Sequence, residues 1–117
     1  MTQDAQRIAI AKACGWTEIE RINVCDFGGL RGVAPDGIRK IIPSYTTDLN
    51  AMHEAVMSLP SGLRDNTFVS ALAMVCGFQA HGEHAWDTLH VGRCAVINAT
   101  AAQRAEAYLK TLNLYKD

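Results

Sequence analysis

No long apolar run, no excess of positive charge and no paired cysteines mark this chain, and each absence narrows what it can be. Its longest apolar stretches fall far short of the roughly 20 residues that a bilayer-spanning helix needs. Eleven Lys and Arg stand against twelve Asp and Glu, a formal charge of −1. The positive excess with which dedicated nucleic-acid binders neutralise phosphates is therefore missing, and only a local basic patch stays open. The N-terminus, MTQDAQRIAIAKACGW, mixes charges into its first turns and lacks the basic-then-apolar layout of a signal peptide. The chain is expected to stay in the cytoplasm where it is made. Cys14, Cys25, Cys76 and Cys94 are scattered without a C-x-x-C pair and read as small buried hydrophobes with free thiols. There is no internal repeat, linker or low-complexity tract.

What is present is enough for a core. Of 117 residues, 49% are apolar and 20% charged, the balance of one globular domain spanning the whole chain, 1–117. The alanine-rich stretch from Asp4 to Cys14 predicts a helix, with Thr2 or Asp4 as its N-cap. Gly15 sits where helices end in a left-handed residue, and Trp16 can fold back as an apolar anchor. From Glu18 to Pro43, Ile, Val and Phe alternate with polar residues and glycines. Pro35-Asp36-Gly37 is a turn signal, which predicts two short antiparallel strands over 30–34 and 38–42. Thr46-Thr47-Asp48 caps a second helix to about Leu59, with Leu49, Met52, Val56 and Leu59 as its buried stripe. A third helix over about 66–78 would bury Val69, Leu72, Ala73 and Cys76, although the alternation there also fits a strand. Thr100 with Gln103 forms a capping box before a tail helix that buries Ala101, Ala105, Tyr108, Leu109 and Leu112. Three to four helices and a hairpin give an α+β protein.

Chemistry-bearing motifs are sparse. His53-Glu54 opens like the zinc-protease motif H-E-x-x-H, but Met57 stands where the second histidine is required, so both residues read as polar flanks of a helix stripe. Cys76, His81, His84, His90 and Cys94 are zinc's preferred ligand types, yet only His81 and His84 are tightly spaced. No bound metal and no cofactor are expected. Gly28, Gly29 and Gly32 surround Arg31, with Arg39 and Lys40 across the turn. Backbone N–H groups of a glycine-rich bend can cradle a phosphate and arginine can clamp it, so Gly28, Gly29, Arg31, Arg39 and Lys40 are the candidate ligand-binding residues. The spacing matches neither the P-loop nor the dinucleotide fingerprint, and a plain hairpin with charged edges explains the same residues. No nucleophile elbow or activated thiol stands out, and Asp26 with Asp36, or Glu83 with Asp87, read as solvated carboxylates.

Two blocks carry a resemblance. Residues 45–55, YTTDLNAMHEA, and residues 99–109, ATAAQRAEAYL, resemble signature blocks of small phage and prophage proteins of the phage ABA sandwich domain family. Gly15-Trp16 and the Pro35-Asp36-Gly37 turn also fit that family's layout. The resemblance implies a small layered α/β/α sandwich and a phage or prophage origin, and it implies no catalytic residue.

These readings point to a non-enzymatic accessory protein that works by binding in the host bacterial cytoplasm. One class of partner is a host protein, in a host-takeover or anti-defence role, with Trp16, Trp86 and Tyr115 as candidate interface anchors. A second is a small anionic ligand such as a nucleotide signal, held at the glycine-rich hairpin. A third reading is an enzyme whose residues meet only in space.

Overall fold

The computed structural model describes residues 1–24, 27–77 and 98–116. Helix α1 (Gln3–Ala13) starts where the Thr2 hydroxyl accepts a hydrogen bond from the Ala5 N–H. Its end is a Schellman motif: the Gly15 N–H bonds the Lys12 carbonyl and the Trp16 N–H bonds the Ala11 carbonyl. Gly15 takes φ +96°, which glycine alone adopts without strain. That reversal throws Trp16 back into the core, where it is 7% exposed.

Three antiparallel strands follow in the order β1-β2-β3: β1 (Thr17–Val24), β2 (Phe27–Val33) and β3 (Arg39–Ile41). The expected hairpin over 30–34 and 38–42 is β2 and β3, and β1 is a third strand that the periodicity had not marked. A β-bulge explains why. Thr17 pairs with Val33 and Glu20 with Arg31, so two residues of β1, Glu18 and Ile19, stand opposite Gly32 alone. Glu18 absorbs the extra residue in the left-handed region, φ 49°. The slip turns Ile19 toward the core and sets Glu20, instead of an isoleucine, beside Arg31. It also breaks the period-two pattern that would have announced the strand. Gly32 is the residue that fits beneath the bulge, because a Cβ there would lie 3.0 Å from the Thr17 carbonyl oxygen and 3.3 Å from Ile19 Cγ1.

Helix α2 (Leu49–Met57) is capped by Asp48, whose carboxylate accepts from the Asn50 and Ala51 N–H groups. Met52, Val56 and Leu59 are buried as expected, but Leu49 is 52% exposed; Ala51 and Ala55 complete the inward face instead. The third helical region begins earlier than expected, at residue 61, and its Leu63–Phe68 portion is π-helical before α3 (Val69–Val75). Phe68 and Leu72 are buried, and Val69, expected inside, is 42% exposed.

The tail helix α4 (Ala101–Thr111) carries the predicted Thr100–Gln103 capping box. It lies against α1, α2, α3 and the π-helical segment. Ala101, Ala105 and Ala107 let those neighbours approach closely, while Tyr108 and Leu109 fill the space between them. Fully burying each such large side chain stabilises the fold by about 1.5–3 kcal/mol. Leu30, Ala34 and Ile42 from the sheet join the same core as α1, α2, α3 and α4, which makes the protein α+β. The opposite sheet face carries charged side chains in solvent. No helix among the described residues is long and apolar enough to cross a membrane.

Candidate functional site

The strand register decides what the hairpin's charges can do. Arg31 stands opposite Ile41 and Val33 opposite Arg39, whereas Lys40 stands opposite Gly32. Side chains alternate along a strand, so Arg31 and Arg39 share one face and Lys40 points to the other. Both arginines sit on partly solvent-exposed positions, as expected, but they are engaged. Arg31 donates to Glu20 Oε1 through Nη2 at 2.6 Å and Nε at 3.1 Å. Arg39 donates to Glu20 at 3.1 Å and to Glu18 at 3.0 Å. The Arg31 hydrogen bond, with Arg39 adding to it, holds the Glu20 carboxyl below its usual pKa. Lys40 is bonded to Asp36 Oδ2 at 3.2 Å. Asp36 in turn accepts the Ile38 N–H at 2.9 Å, which with Lys40 keeps its carboxyl below the usual range.

Gly28 and Gly29 lie within β2, in register with Asn23 and Ile22. They are ladder residues and form no phosphate-cradling bend. The candidates Gly28, Gly29, Arg31, Arg39 and Lys40 are thus neighbours in the sheet without converging on one concave site. Of the other expectations, His81, His84, His90 and Cys94 lie outside the described residues, as do Cys25 and Trp86. Cys14 and Cys76 are free thiols. His53 is exposed on α2. Tyr115 is half-buried, with Lys110 Nζ 5.1 Å from its ring centre.

The concavity lies on the Lys40 side of the sheet. It is an open cleft of about 480 Å³, lined by Cys14 and Trp16 after α1, Ala34, Pro35 and Asp36 at the β2–β3 turn, and Lys40, Ile41, Pro43 and Tyr45 beyond it. Glu54, Ala55 and Ser58 of α2 close the far wall. The Arg7 guanidinium reaches from α1 to the carbonyls of Ile42 and Pro43 and fixes the chain entering the cleft. At its inner end the Cys14 thiol is 3.5 Å from the Tyr108 hydroxyl and 4.0 Å from Ser58 Oγ. Burial first, and the Cys14 side chain second, push both Tyr45 and Tyr108 well above the usual phenol range. They remain neutral hydroxyls at any physiological pH and cannot serve as bases.

No protein-family model matches the chain, and no curated protein or solved structure matches it. The chemistry must be read from the side chains themselves. Cys14 meets hydroxyls, and among the described residues neither an imidazole nor a cation is bonded to it. Glu54 makes no ion pair among the described residues. The cleft thus combines apolar walls, a few polar groups and one carboxylate that makes no ion pair among the described residues. No local motif announced it, because its lining comes from five separate stretches of chain. Pro35, Asp36, Tyr45 and Glu54 were legible only as turn, cap-flanking and helix-flanking residues.

Proposed function

We propose that the protein works by binding another protein, with no catalysis of its own, and that the cleft between α1, the β2–β3 turn and α2 is where the partner docks. In the phage or prophage setting that residues 45–55 and 99–109 resemble, through the phage ABA sandwich domain family, the partner is a host protein met in the bacterial cytoplasm. The role is then host takeover or anti-defence. What supports a protein partner over an anionic ligand is the state of the hairpin's cations. Arg31 and Arg39 are already bonded to Glu18 and Glu20, and Lys40 to Asp36 on the other face. A nucleotide would have to displace carboxylates from each of them. Pro35, Pro43 and Tyr45 line the concavity and give a partner apolar surface within it.

Two measurements test this reading. A thermal-shift panel of mono-, di- and cyclic nucleotides is expected to leave the melting temperature unchanged. Affinity capture from host cytoplasm is expected to recover one protein with the wild type and with Arg31→Ala/Arg39→Ala, and to lose it with Ser58→Arg, which fills the cleft from its α2 side. Nucleotide binding that disappears in Arg31→Ala/Arg39→Ala would overturn the proposal and restore the anionic ligand.

A further inference from the structure

Asp36, Lys40 and Glu54 are the charged side chains in the cleft lining, and of these Glu54 alone makes no ion pair among the described residues. Asp36 is occupied by Lys40 at 3.2 Å and by the Ile38 N–H at 2.9 Å. Lys40 is neutralised by the same contact. Glu54, exposed on α2, makes no ion pair among the described residues. One cation against two carboxylates leaves the lining with a formal charge of −1. The rest of the lining is largely apolar or aromatic, with Trp16, Ala34, Pro35, Pro43 and Tyr45 contributing to it. Glu54 and Tyr45 both line the cleft, so the carboxylate and the aromatic wall face the same opening.

Resting on the protein-partner reading above, we infer that the cleft takes a basic side chain of the partner, lysine or arginine, with its aliphatic stem along the apolar wall and its cationic head at Glu54. An aliphatic stem beneath a charged head matches such a lining. Tyr45 and Trp16 add the attraction of aromatic surface for a cation. An acidic side chain would meet two carboxylates, and an uncharged one would leave Glu54 without a counter-charge.

The test is an NMR titration of the full chain with three capped tripeptides, acetyl-Ala-Lys-Ala-amide and its norleucine and glutamate counterparts, following the Trp16 indole and the Ala55 amide. The lysine peptide is expected to shift both signals and to bind about fivefold more tightly than the norleucine peptide, as a partly exposed ion pair allows. Glu54→Gln, at an exposed position that folding does not depend on, is expected to erase that difference, and Glu54→Lys to abolish lysine-peptide binding. Equal shifts from lysine and norleucine peptides, indifferent to Glu54→Gln, would overturn the inference while leaving the cleft as a docking site. Preference for the glutamate peptide would overturn it in favour of Lys40 as the reader. Silence from all three would remove both the inference and the cleft's role in docking.

Discussion

Removing the Tyr108 side chain probes how the helices and the cleft hold together. Tyr108 is 1% exposed and sits on α4, which touches α1, α2, α3 and the π-helical segment. Its ring fills the space between those helices and its hydroxyl reaches Cys14 Sγ at 3.5 Å at the inner end of the cleft. Tyr108→Ala deletes a buried aromatic side chain and leaves a cavity that alanine-rich neighbours cannot collapse to fill. Comparable truncations of aromatic residues cost about 3–5 kcal/mol, against a total stability of about 5–15 kcal/mol for a domain. Tyr108→Phe keeps the ring and removes only the hydroxyl. That loss should stay near 0.5–1.5 kcal/mol, the usual net worth of one hydrogen bond, because Cys14 and Ser58 border the open cleft and can turn to water.

Urea denaturation separates the two effects. With a slope of about 2 kcal/mol per M, a loss of about 4 kcal/mol moves the midpoint of Tyr108→Ala down by about 2 M, and Tyr108→Phe by about 0.5 M. The reasoning is refuted if Tyr108→Ala loses under about 1 kcal/mol, since the ring would then not be packed in the core. It is equally refuted if the phenylalanine variant loses as much as the alanine variant, which would make the hydroxyl the stabilising element.

Other perturbations test the sheet. Gly32→Ala brings a methyl group within 3.0 Å of the Thr17 carbonyl, and overpacking of that kind should cost about 1–3 kcal/mol in the same melts; no change would mean that the bulge at Glu18 is softer than its geometry indicates. Glu20 and Asp36 are held below their ordinary pKa values by their basic and N–H partners. They therefore stabilise the fold fully above the unfolded carboxylate value, near 4, and that stability is lost as pH falls through their lower folded values. The urea midpoint should be flat from neutral pH down to about 5 and fall below it, less steeply in Glu20→Gln. Glu18→Gln with Glu20→Gln frees Arg31 and Arg39 from their carboxylates, so pyrophosphate, silent on the wild type in calorimetry, should bind the double variant weakly and in a salt-sensitive way; equal silence from both proteins would show that the ion pairs do not mask an anion site.

The helices were legible because their information is local. Thr2, Asp48 and Thr100 cap through their own side chains, Gly15 ends α1 through its backbone freedom, and the stripes of α2 and α4 recur every three or four residues. Misreadings occurred where geometry depends on something distant or irregular. Val69, three residues before the buried Leu72, looked inward, but Phe68, four before it, takes that place in the core; Leu49, three before the buried Met52, looked inward, but Ala51 takes that place on α2. Strand β1 was hidden by one extra residue. With the bulge at Glu18 and Ile19, its core-facing and solvent-facing positions no longer alternate evenly, and period-two counting fails.

The same bulge explains why the hairpin's cations looked available. From sequence, Arg31, Arg39 and Lys40 are three positive charges near glycines, and nothing within a few residues of Arg31 or Arg39 neutralises them. Their partners are set by register, and register is set by where β1 slips. An unbulged β1 that kept the Thr17–Val33 pair would put Ile19 opposite Arg31 and turn Glu20 away, leaving Arg31 without the carboxylate it now holds at 2.6 Å. One residue in the left-handed region at Glu18 thus joins Arg31 and Arg39 to Glu18 and Glu20 in an ion-pair network where a lone hairpin would have left two free cations. A free charge in this protein is a property of strand pairing, and it can be recognised only after the pairing is known.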